Sequence, residues 1–435
     1  MLALIGFLII AVILFLIMTK KLSPIVSLIV VPVIGAIIAG QAGEVGSYIA
    51  KGIVTMAPTG VMFIFSILFF GIMRDNGTFD PIVEKIIKVS RGNPVLVVVG
   101  TYIIALIGHL DGAGATTFLL TVPAMLPIFT AMRMRKLTLA AVVAMGAGVM
   151  NLTPWGGPTL RAATALEMNV AELYAPVVIP QIVGILTGLA IAFYLGKQEA
   201  KLLKAQNIDL NDLLLNQETS IDPELTALKR PKLIFVNILL IVATIGIMIA
   251  SILPPAVSFM LGTTIALIIN YPDPKLQRKI VDSHAVEAMM MAGVLFAAGA
   301  LTGILKESGM SAAMAQAMVQ IMPASLGRYM APILGFFSVP LSLVFDPDSY
   351  YFGVMPVIAN SVTHFGIPAV DIARASIAGQ ITVGFPISPL TPSTFLLIGL
   401  AGVDLGEHQK FTFKWLWLIS IMIVLAMVVM GVFTF

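Results

Sequence analysis

Three aspartates interrupt long apolar stretches of the sequence, at Asp111, Asp346 and Asp348. If those stretches cross a membrane, each carboxylate costs at least ~2.5–3.5 kcal/mol there, so it normally has a partner or a task. Two tasks suit such residues: carrying a proton, or coordinating a hard divalent cation such as Mg²⁺ or Ca²⁺. The alternative is that all three lie at ordinary exposed turns.

Glycines and hydroxyl residues surround these aspartates. Asp111 opens the run Asp111-Gly112-Ala113-Gly114-Ala115-Thr116-Thr117, and Asp346 opens Asp346-Pro347-Asp348-Ser349. Glycine-rich turns expose backbone N–H groups, and such groups at the start of a helix attract anions. The pattern predicts an anion site that includes Gly112, Gly114, Thr116, Thr117 and Ser349.

Two later segments contain paired prolines among polar residues. They are Asn151-Leu152-Thr153-Pro154-Trp155-Gly156-Gly157-Pro158-Thr159 and Ser388-Pro389-Leu390-Thr391-Pro392-Ser393-Thr394. Such prolines break a helix, and unwound backbone at membrane depth is tolerated only where it is buried or lines a cavity. For either segment alone, a simple proline kink is the alternative. We expect two broken helices with binding residues Asn151, Thr153, Gly156, Gly157, Thr159, Ser388, Thr391, Ser393 and Thr394.

Arg161 and His109 flank these motifs. Arg161 either clamps a substrate carboxylate or extends from a helix end toward the membrane surface. His109 either shares a proton with Asp111, two residues away, or is structural. The other histidines, His284, His364 and His408, are interpreted as loop or interface residues. A short amphipathic stretch is predicted to expose a solvated charged face formed by Asp75, Asp80, Glu84 and Lys88.

The composition identifies the protein class. Of 435 residues, 59% are hydrophobic and 11% charged, whereas soluble domains carry roughly 25% charged residues. Apolar stretches of about 20 residues recur, which predicts an all-α polytopic protein in a lipid bilayer and excludes a soluble enzyme or a nucleic-acid binder. The absence of cysteine excludes disulfides and thiol catalysis. No Walker, HExxH or GxSxG motif indicates an ATPase, metalloprotease or hydrolase.

Hydropathy divides the chain into two membrane-spanning halves, residues 1–196 and 233–435, around a polar linker at 197–232. Each half is expected to contain one hairpin and one broken helix. The hairpins are predicted at about 94–130 and 330–363, and the broken helices at about 138–166 and 375–402. Each hairpin arm has about 16 residues, or about 24 Å of helix, which is short of the ~30 Å membrane core. Re-entrant hairpins are therefore favoured over pairs of short spans.

The halves repeat in sequence. Gly71–Gly77 resembles Gly303–Gly309, Asp111 lies 235 residues before Asp346, and Thr153-Pro154 lies 235 before Ser388-Pro389. With Lys20 and Lys21 on the cytoplasmic side, the basic residues fall inside except for Lys51, Arg161, Lys306, Arg328 and Arg374. This arrangement makes the linker cytoplasmic, both termini external and the halves inverted. Inverted repeats are typical of secondary transporters with a site near the membrane midplane.

Four motifs resemble a known family. His109–Thr117, Asn151–Thr159, Tyr351-Phe352-Gly353-Val354-Met355-Pro356 and the stretch from Gly399 to Lys410 are similar to the citrate–metal:proton symporter (CitMHS) family of the ion transporter superfamily. The resemblance implies uptake of citrate complexed with a divalent cation, together with protons, across the cell membrane. It also implies scaffold and transport arms, two re-entrant hairpins and two broken helices.

The resemblance assigns expected roles. Arg161, Thr159 and the tip amides would hold citrate carboxylates, whereas Asp111, Asp346 and Asp348, with His109, would carry protons or face the metal. The metal is expected as part of the substrate, with no resident cofactor, and a homodimer is one arrangement that the resemblance allows. The alternative is a metal-independent symporter or exchanger for another organic anion, such as gluconate or a dicarboxylate. A channel would not need two mirrored broken helices.

The predicted orientation can be tested with thiol labelling, because the chain has no cysteine of its own. A cysteine at Asn207 in the linker is expected to resist an impermeant thiol reagent added to intact cells, since the basic residues place the linker inside. A cysteine at Thr434, near the C-terminus, is expected to react and serves as the control. Labelling of Asn207→Cys from outside would reverse the orientation.

Overall fold

The structure is a computed structural model that describes residues 1–19, 21–90, 92–205, 227–250, 252–321 and 327–434. Within these ranges the chain forms helices and no strand. The all-α class and the two inverted repeats are confirmed. Lys20, Arg91 and the central part of the predicted linker lie outside the described residues.

The described part of the first half contains ten α-helices. Their bounds are α1 Leu2–Met18, α2 Pro24–Ile38, α3 Val45–Asp75, α4 Asp80–Ser90, α5 Pro94–Gly108, α6 Gly114–Ala131, α7 Lys136–Met150, α8 Gly157–Ala165, α9 Val170–Tyr174 and α10 Val178–Ala205. Helices α5 and α6 are the arms of the first hairpin, and α7 and α8 are the two parts of the first broken helix.

The described part of the second half follows the same order. Its helices are α11 Ile234–Ile249, α12 Pro255–Asn270, α13 Pro274–Glu307, α14 Met310–Ile321, α15 Met330–Leu341, a π-helix Ser349–Val354 continuing into α16 Met355–Thr363, α17 Ala369–Ile377, α18 Pro392–Ala401 and α19 Leu405–Val429. The second hairpin is formed by α15, the π-helix and α16, and the second broken helix by α17 and α18.

Six apolar helical stretches in the described residues are long enough to cross a membrane. They are Ala42–Asp75, Gly114–Ala131, Val170–Lys204, Pro231–Met248, Ala288–Glu307 and Leu405–Val429. The remaining apolar helices are shorter, and they include α5 of the first hairpin and α15 of the second. The two longest helices, α3 and α13, pack against each other and join the repeats.

Each hairpin packs against the broken helix of the other repeat. Helix α6 contacts α18, and the π-helix of the second hairpin contacts α8. The first hairpin packs closely against the second break, because a Cβ atom on Gly114 would lie 2.7 Å from the ring of Phe385. The polar breaks of both repeats are therefore brought together in the interior of the protein.

The second break is longer than the sequence predicts. Helix α17 begins at Ala369, six residues before the expected boundary, and it ends at Ile377, so the chain is unwound well before Ser388. The cause is close packing at two glycines: a Cβ atom on Gly379 or Gly384 would lie within 2.3 Å of a serine hydroxyl of α15 or its end. Ile381 follows in the left-handed region, with φ of 51°.

Candidate functional site

The tip of the first hairpin is organised by Asp111. Its Oδ1 accepts a hydrogen bond from the backbone N–H of Ala113 at 2.9 Å, and its Oδ2 accepts one from the Thr116 hydroxyl at 2.5 Å. Gly112 makes this turn possible because its φ of +74° is costly for other residues. The Arg74 guanidinium, at the end of α3, lies 3.3 Å from Asp111 Oδ2.

The tip of the second hairpin repeats this arrangement with Asp346. Its Oδ1 accepts hydrogen bonds from the backbone N–H groups of Asp348 and Ser349, both at 3.1 Å, and its Oδ2 accepts one from the Ser349 hydroxyl at 2.5 Å. Asp346 is 7% exposed. Among the described residues, Asp346 has no cationic partner, unlike Asp111.

A buried ion pair connects the two repeats. Arg161, on α8 of the first repeat, donates from Nε to Oδ1 of Asp348 in the second hairpin at 2.7 Å. Both residues are buried, at 7% and 6% exposure. Within the described part of the chain, the two terminal nitrogens of Arg161 donate no hydrogen bond, so they are available for a second carboxylate.

The two breaks cross directly. The side-chain amide of Asn151 donates to the backbone carbonyl of Ile381 at 2.9 Å. A Cβ atom on Gly148 would lie 2.8 Å from the Val383 carbonyl oxygen, so only glycine fits there without a shift. Gly156 is similarly constrained by the Asn151 carbonyl, 2.3 Å from its would-be Cβ, and Gly157 then begins α8.

Four hydroxyls of the predicted site stabilise the unwound backbone. Thr159 donates to the carbonyl of Leu152 at 3.2 Å, and Thr391 and Thr394 both donate to that of Phe385 at 2.8 Å. The Ser388 hydroxyl accepts from the N–H of Leu390 at 3.2 Å. These hydroxyls satisfy backbone groups that the breaks leave without helical partners.

Two other predicted residues stand apart from that pattern. Ser393 is half-buried beside Gly114, whose would-be Cβ lies 3.2 Å from the serine Cβ. The hydroxyl of Thr153 is buried, and no residue in the described ranges bonds it. Thr153 therefore has the free hydroxyl that a ligand would need.

His109 and Thr117 form a buried polar contact beneath the first tip. The His109 Nδ1 and the Thr117 hydroxyl are 2.8 Å apart, and the hydroxyl also lies 2.9 Å from the Ala113 carbonyl. The imidazole stacks on Phe385 of the other repeat, with ring centroids 5.5 Å apart. His109 thus contacts both the first hairpin and the second break.

The expectation that Asp75 belongs to a solvated charged face is wrong. Its carboxylate is only 10% exposed and bonds Nε2 of His284 at 2.9 Å and Nε of Arg74 at 3.2 Å. Glu84 and Lys88 do remain exposed. No local pattern in the sequence signals this contact, because Asp75 and His284 are 209 residues apart.

Two histidines also differ from the expected loop or interface positions. His284 lies within α13 and is 5% exposed, whereas His408 lies within α19 and is fully buried. The His408 Nε2 and the carbonyl oxygen of Pro386, in the second break, are 3.0 Å apart. His408 therefore supports the unwound segment from the neighbouring helix.

A cleft of about 450 Å³ is bounded by α8, which carries Arg161, and by the π-helix that follows Asp348. It is lined by residues one helical turn beyond each of these two: Ala165 on α8 and Phe352 on the π-helix. Its third wall is the end of α13, with Thr302 and Lys306. No group of three or more acidic or histidine residues in the described chain could hold a metal by itself.

Comparisons with known proteins agree on a transporter. A family model described as "Citrate transporter" (CitMHS) matches residues 10–379. A citrate transporter of Bacillus subtilis is 41% identical over 435 residues, covering 100% of both chains. The Mg(2+)/citrate complex secondary transporter of the same organism is 40% identical over 419 residues, or 95% of each chain.

Two solved transporters share the fold at low sequence identity. The YdaH transporter of Alcanivorax borkumensis has a TM-score of 0.62 at 13% identity, over 91% of this chain and 89% of that one. MtrF of Neisseria gonorrhoeae, from a class of antimetabolite efflux pumps, has a TM-score of 0.64 at 14% identity, over 90% and 85%. These similarities concern the architecture.

The buried Arg161–Asp348 pair is expected to contribute to stability. Asp348→Asn leaves the Arg161 charge without its partner, which is expected to cost about 3–5 kcal/mol of unfolding free energy. The matched control is Asp282→Asn, which removes an exposed partner of Arg278, 3.8 Å away, and should change stability by less than about 0.5 kcal/mol. Thermal unfolding of the purified protein measures both, and equal midpoints for the two variants would contradict the buried pair.

Proposed function

This chain belongs to the CitMHS family of citrate transporters, and from that premise we propose that it imports citrate complexed with a divalent cation, in symport with protons. It is a multi-pass membrane transporter and not an enzyme. In this proposal a cation such as Mg²⁺ or Ca²⁺ is cargo rather than a cofactor, and the protein resides in the cell membrane.

The observation that carries the proposal is the state of Arg161. One side of its guanidinium holds Asp348, and the other side has donors to spare among the described residues. A guanidinium binds a carboxylate through two parallel hydrogen bonds. Arg161 can therefore hold a citrate carboxylate while Asp348 keeps the charge balanced in the interior.

Charge favours a metal complex over the free anion. The described cations nearest the tips, Arg161 and Arg74, already pair with Asp348 and with Asp75 and Asp111. A citrate trianion would add three negative charges near the hairpin tips, and unpaired buried charges are costly. A divalent cation cancels two of them, so the complex needs little further positive charge from the protein.

We propose that the aspartates at the hairpin tips carry the coupled protons. Asp346 is buried and, among the described residues, lacks a cation, and burial without a partner disfavours the ionised form of a carboxyl group. Asp111 differs because Arg74 stabilises its charge. In this proposal the carboxyl groups exchange protons as substrate binds and leaves, while the substrate's metal faces whichever of Asp111, Asp346 and Asp348 is ionised.

The alternative is metal-independent transport of another organic anion, such as gluconate or a dicarboxylate. Such an anion carries one or two charges, which the free donors of Arg161 and Thr153 could hold without a metal. The relative described as a Mg(2+)/citrate complex secondary transporter, 40% identical, supports the metal complex instead.

Removal of divalent cations tests the proposed substrate. In cells or proteoliposomes with an imposed proton gradient, excess EDTA is expected to reduce uptake of labelled citrate to background, because the free trianion lacks cationic partners. Adding MgCl₂ beyond the chelator should restore it. A pH-sensitive dye confirms that EDTA leaves the gradient intact, and undiminished uptake in EDTA would favour the alternative.

Neutralising the tip aspartates tests proton coupling. Asp111→Asn and Asp346→Asn keep the side-chain size but cannot ionise, so gradient-driven accumulation should be lost while exchange of labelled for unlabelled citrate persists. Asp273→Asn is the control, because Asp273 is an exposed N-cap of α13 and asparagine caps helices equally well. Wild-type rates and pH dependence in both tip variants would show that these carboxyl groups carry no proton.

A further inference from the structure

The 450 Å³ cleft contains an ion pair that the central site does not use. Lys306, at the end of α13, pairs with Glu167, just beyond α8. Both side chains line the cleft and remain partly exposed, at 58% and 24%. Resting on the function proposed above, we propose that this cleft is an entry site in which a substrate carboxylate takes Lys306 from Glu167 before moving to Arg161.

Glu167 occupies a backbone conformation that normally belongs to glycine. Its φ is +53°. Its N–H bonds the Thr164 carbonyl at 3.0 Å, and the N–H of Met168 bonds that of Ala163 at 2.9 Å. This is the Schellman arrangement, which ends many helices with a left-handed glycine, and a residue with a side chain is disfavoured there.

The second repeat supplies the comparison for this position. Gly402 lies 235 residues after Glu167, which is the spacing between the two repeats, and its φ is +65°. Its N–H bonds the Gly399 carbonyl, and that of Val403 bonds the Ile398 carbonyl, so the two helix ends match bond for bond. Because the same turn is made with glycine in one repeat, Glu167 is explained by what its side chain does rather than by the turn.

The cleft has the chemistry of a carboxylate site. Beside the Lys306 ammonium it presents the hydroxyl of Thr302, the amide of Asn360 and the imidazole of His364. The Asn360 amide is held in place by a 2.9 Å bond to the Ser311 hydroxyl. A cation surrounded by polar side chains attracts an anion, and Glu167 competes for that cation.

The cleft is built on the same elements as the central site. Three elements meet beneath it, since α8, the π-helix and α13 contact one another. Arg161 lies one turn before Ala165 on α8, and Asp348 immediately precedes the π-helix that carries Phe352. The elements that form the cleft wall therefore also carry the Arg161–Asp348 pair.

If a substrate carboxylate competes with Glu167 for Lys306, substitutions of Lys306 and of Glu167 should shift KM in opposite directions. Lys306→Gln removes the cation and is expected to raise the KM for citrate uptake about tenfold, the factor that corresponds to ~1.4 kcal/mol. Glu167→Gln frees the cation and is expected to lower KM severalfold. If the pair only tied α8 to α13, both substitutions would break the same bond and shift KM in the same direction.

The chain provides a matched control in Lys51. It pairs with Glu307, next to Lys306, and the exposures of 61% and 27% resemble those of the first pair, but Lys51 does not line the cleft. Lys51→Gln should leave KM unchanged. Initial uptake rates are measured over a range of citrate concentrations in a fixed excess of MgCl₂.

The midpoint of thermal unfolding shows whether a change in KM arises from a misfolded variant. Glu167→Gly installs the residue of the mirrored repeat, so it should lower KM as Glu167→Gln does and raise the midpoint of thermal unfolding by relieving the left-handed strain. An unchanged KM in Lys306→Gln, or KM shifts in one direction for both partners, would overturn the entry site. Insensitivity of wild-type uptake to EDTA would overturn only the metal complex, because the KM comparison can still be made with the free anion.

Discussion

A charge buried in the interior of a membrane protein must be balanced nearby, and the pairing of Arg161 with Asp348 meets that requirement across the two repeats. Removing either partner would leave an uncompensated ion, which is far more costly than the pair itself. The 2.7 Å contact therefore fixes where α8 begins relative to the second hairpin. Helix α8, which carries Arg161, begins directly after the first break. The two breaks in turn need Asn151, Thr391 and Thr394 to satisfy the exposed backbone.

The repeats match in backbone but differ in how their charges are paired. Asp111 pairs with Arg74 of its own repeat, whereas Asp348 pairs with Arg161 of the other. A pair within one repeat can persist when the repeats move against each other, but a pair between them depends on their relative position. Alternating access by movement of one bundle against another would thus act on Arg161, the residue that we propose holds substrate. Glu167 and Gly402 show a second asymmetry of the same kind, because one turn carries a charge and its mirror carries none.

The sequence predicted the architecture well because that architecture follows from local rules. Apolar stretches, prolines and glycines specify spans, breaks and tips, and the offset of 235 residues relates Asp111 to Asp346 without any structure. Contacts between distant residues follow from no such rule. The pairing of Asp75 with His284 and the burial of His408 against Pro386 depend on how helices pack, which one sequence does not reveal. The early end of α17 at Ile377 was missed for the same reason, since the serines that crowd Gly379 and Gly384 come from other helices or their ends.

We propose that citrate and a divalent cation cross the membrane as one unit bound at Arg161. Uptake of ¹⁴C-citrate and a radioactive divalent cation into the same proteoliposomes, with an acidic exterior, tests it most directly. We expect the two labels to accumulate in a constant ratio, each requiring the other, and both to be lost in Arg161→Gln. Citrate that accumulates at the same rate without its cation, or an Arg161→Gln variant that still accumulates both, would contradict the account.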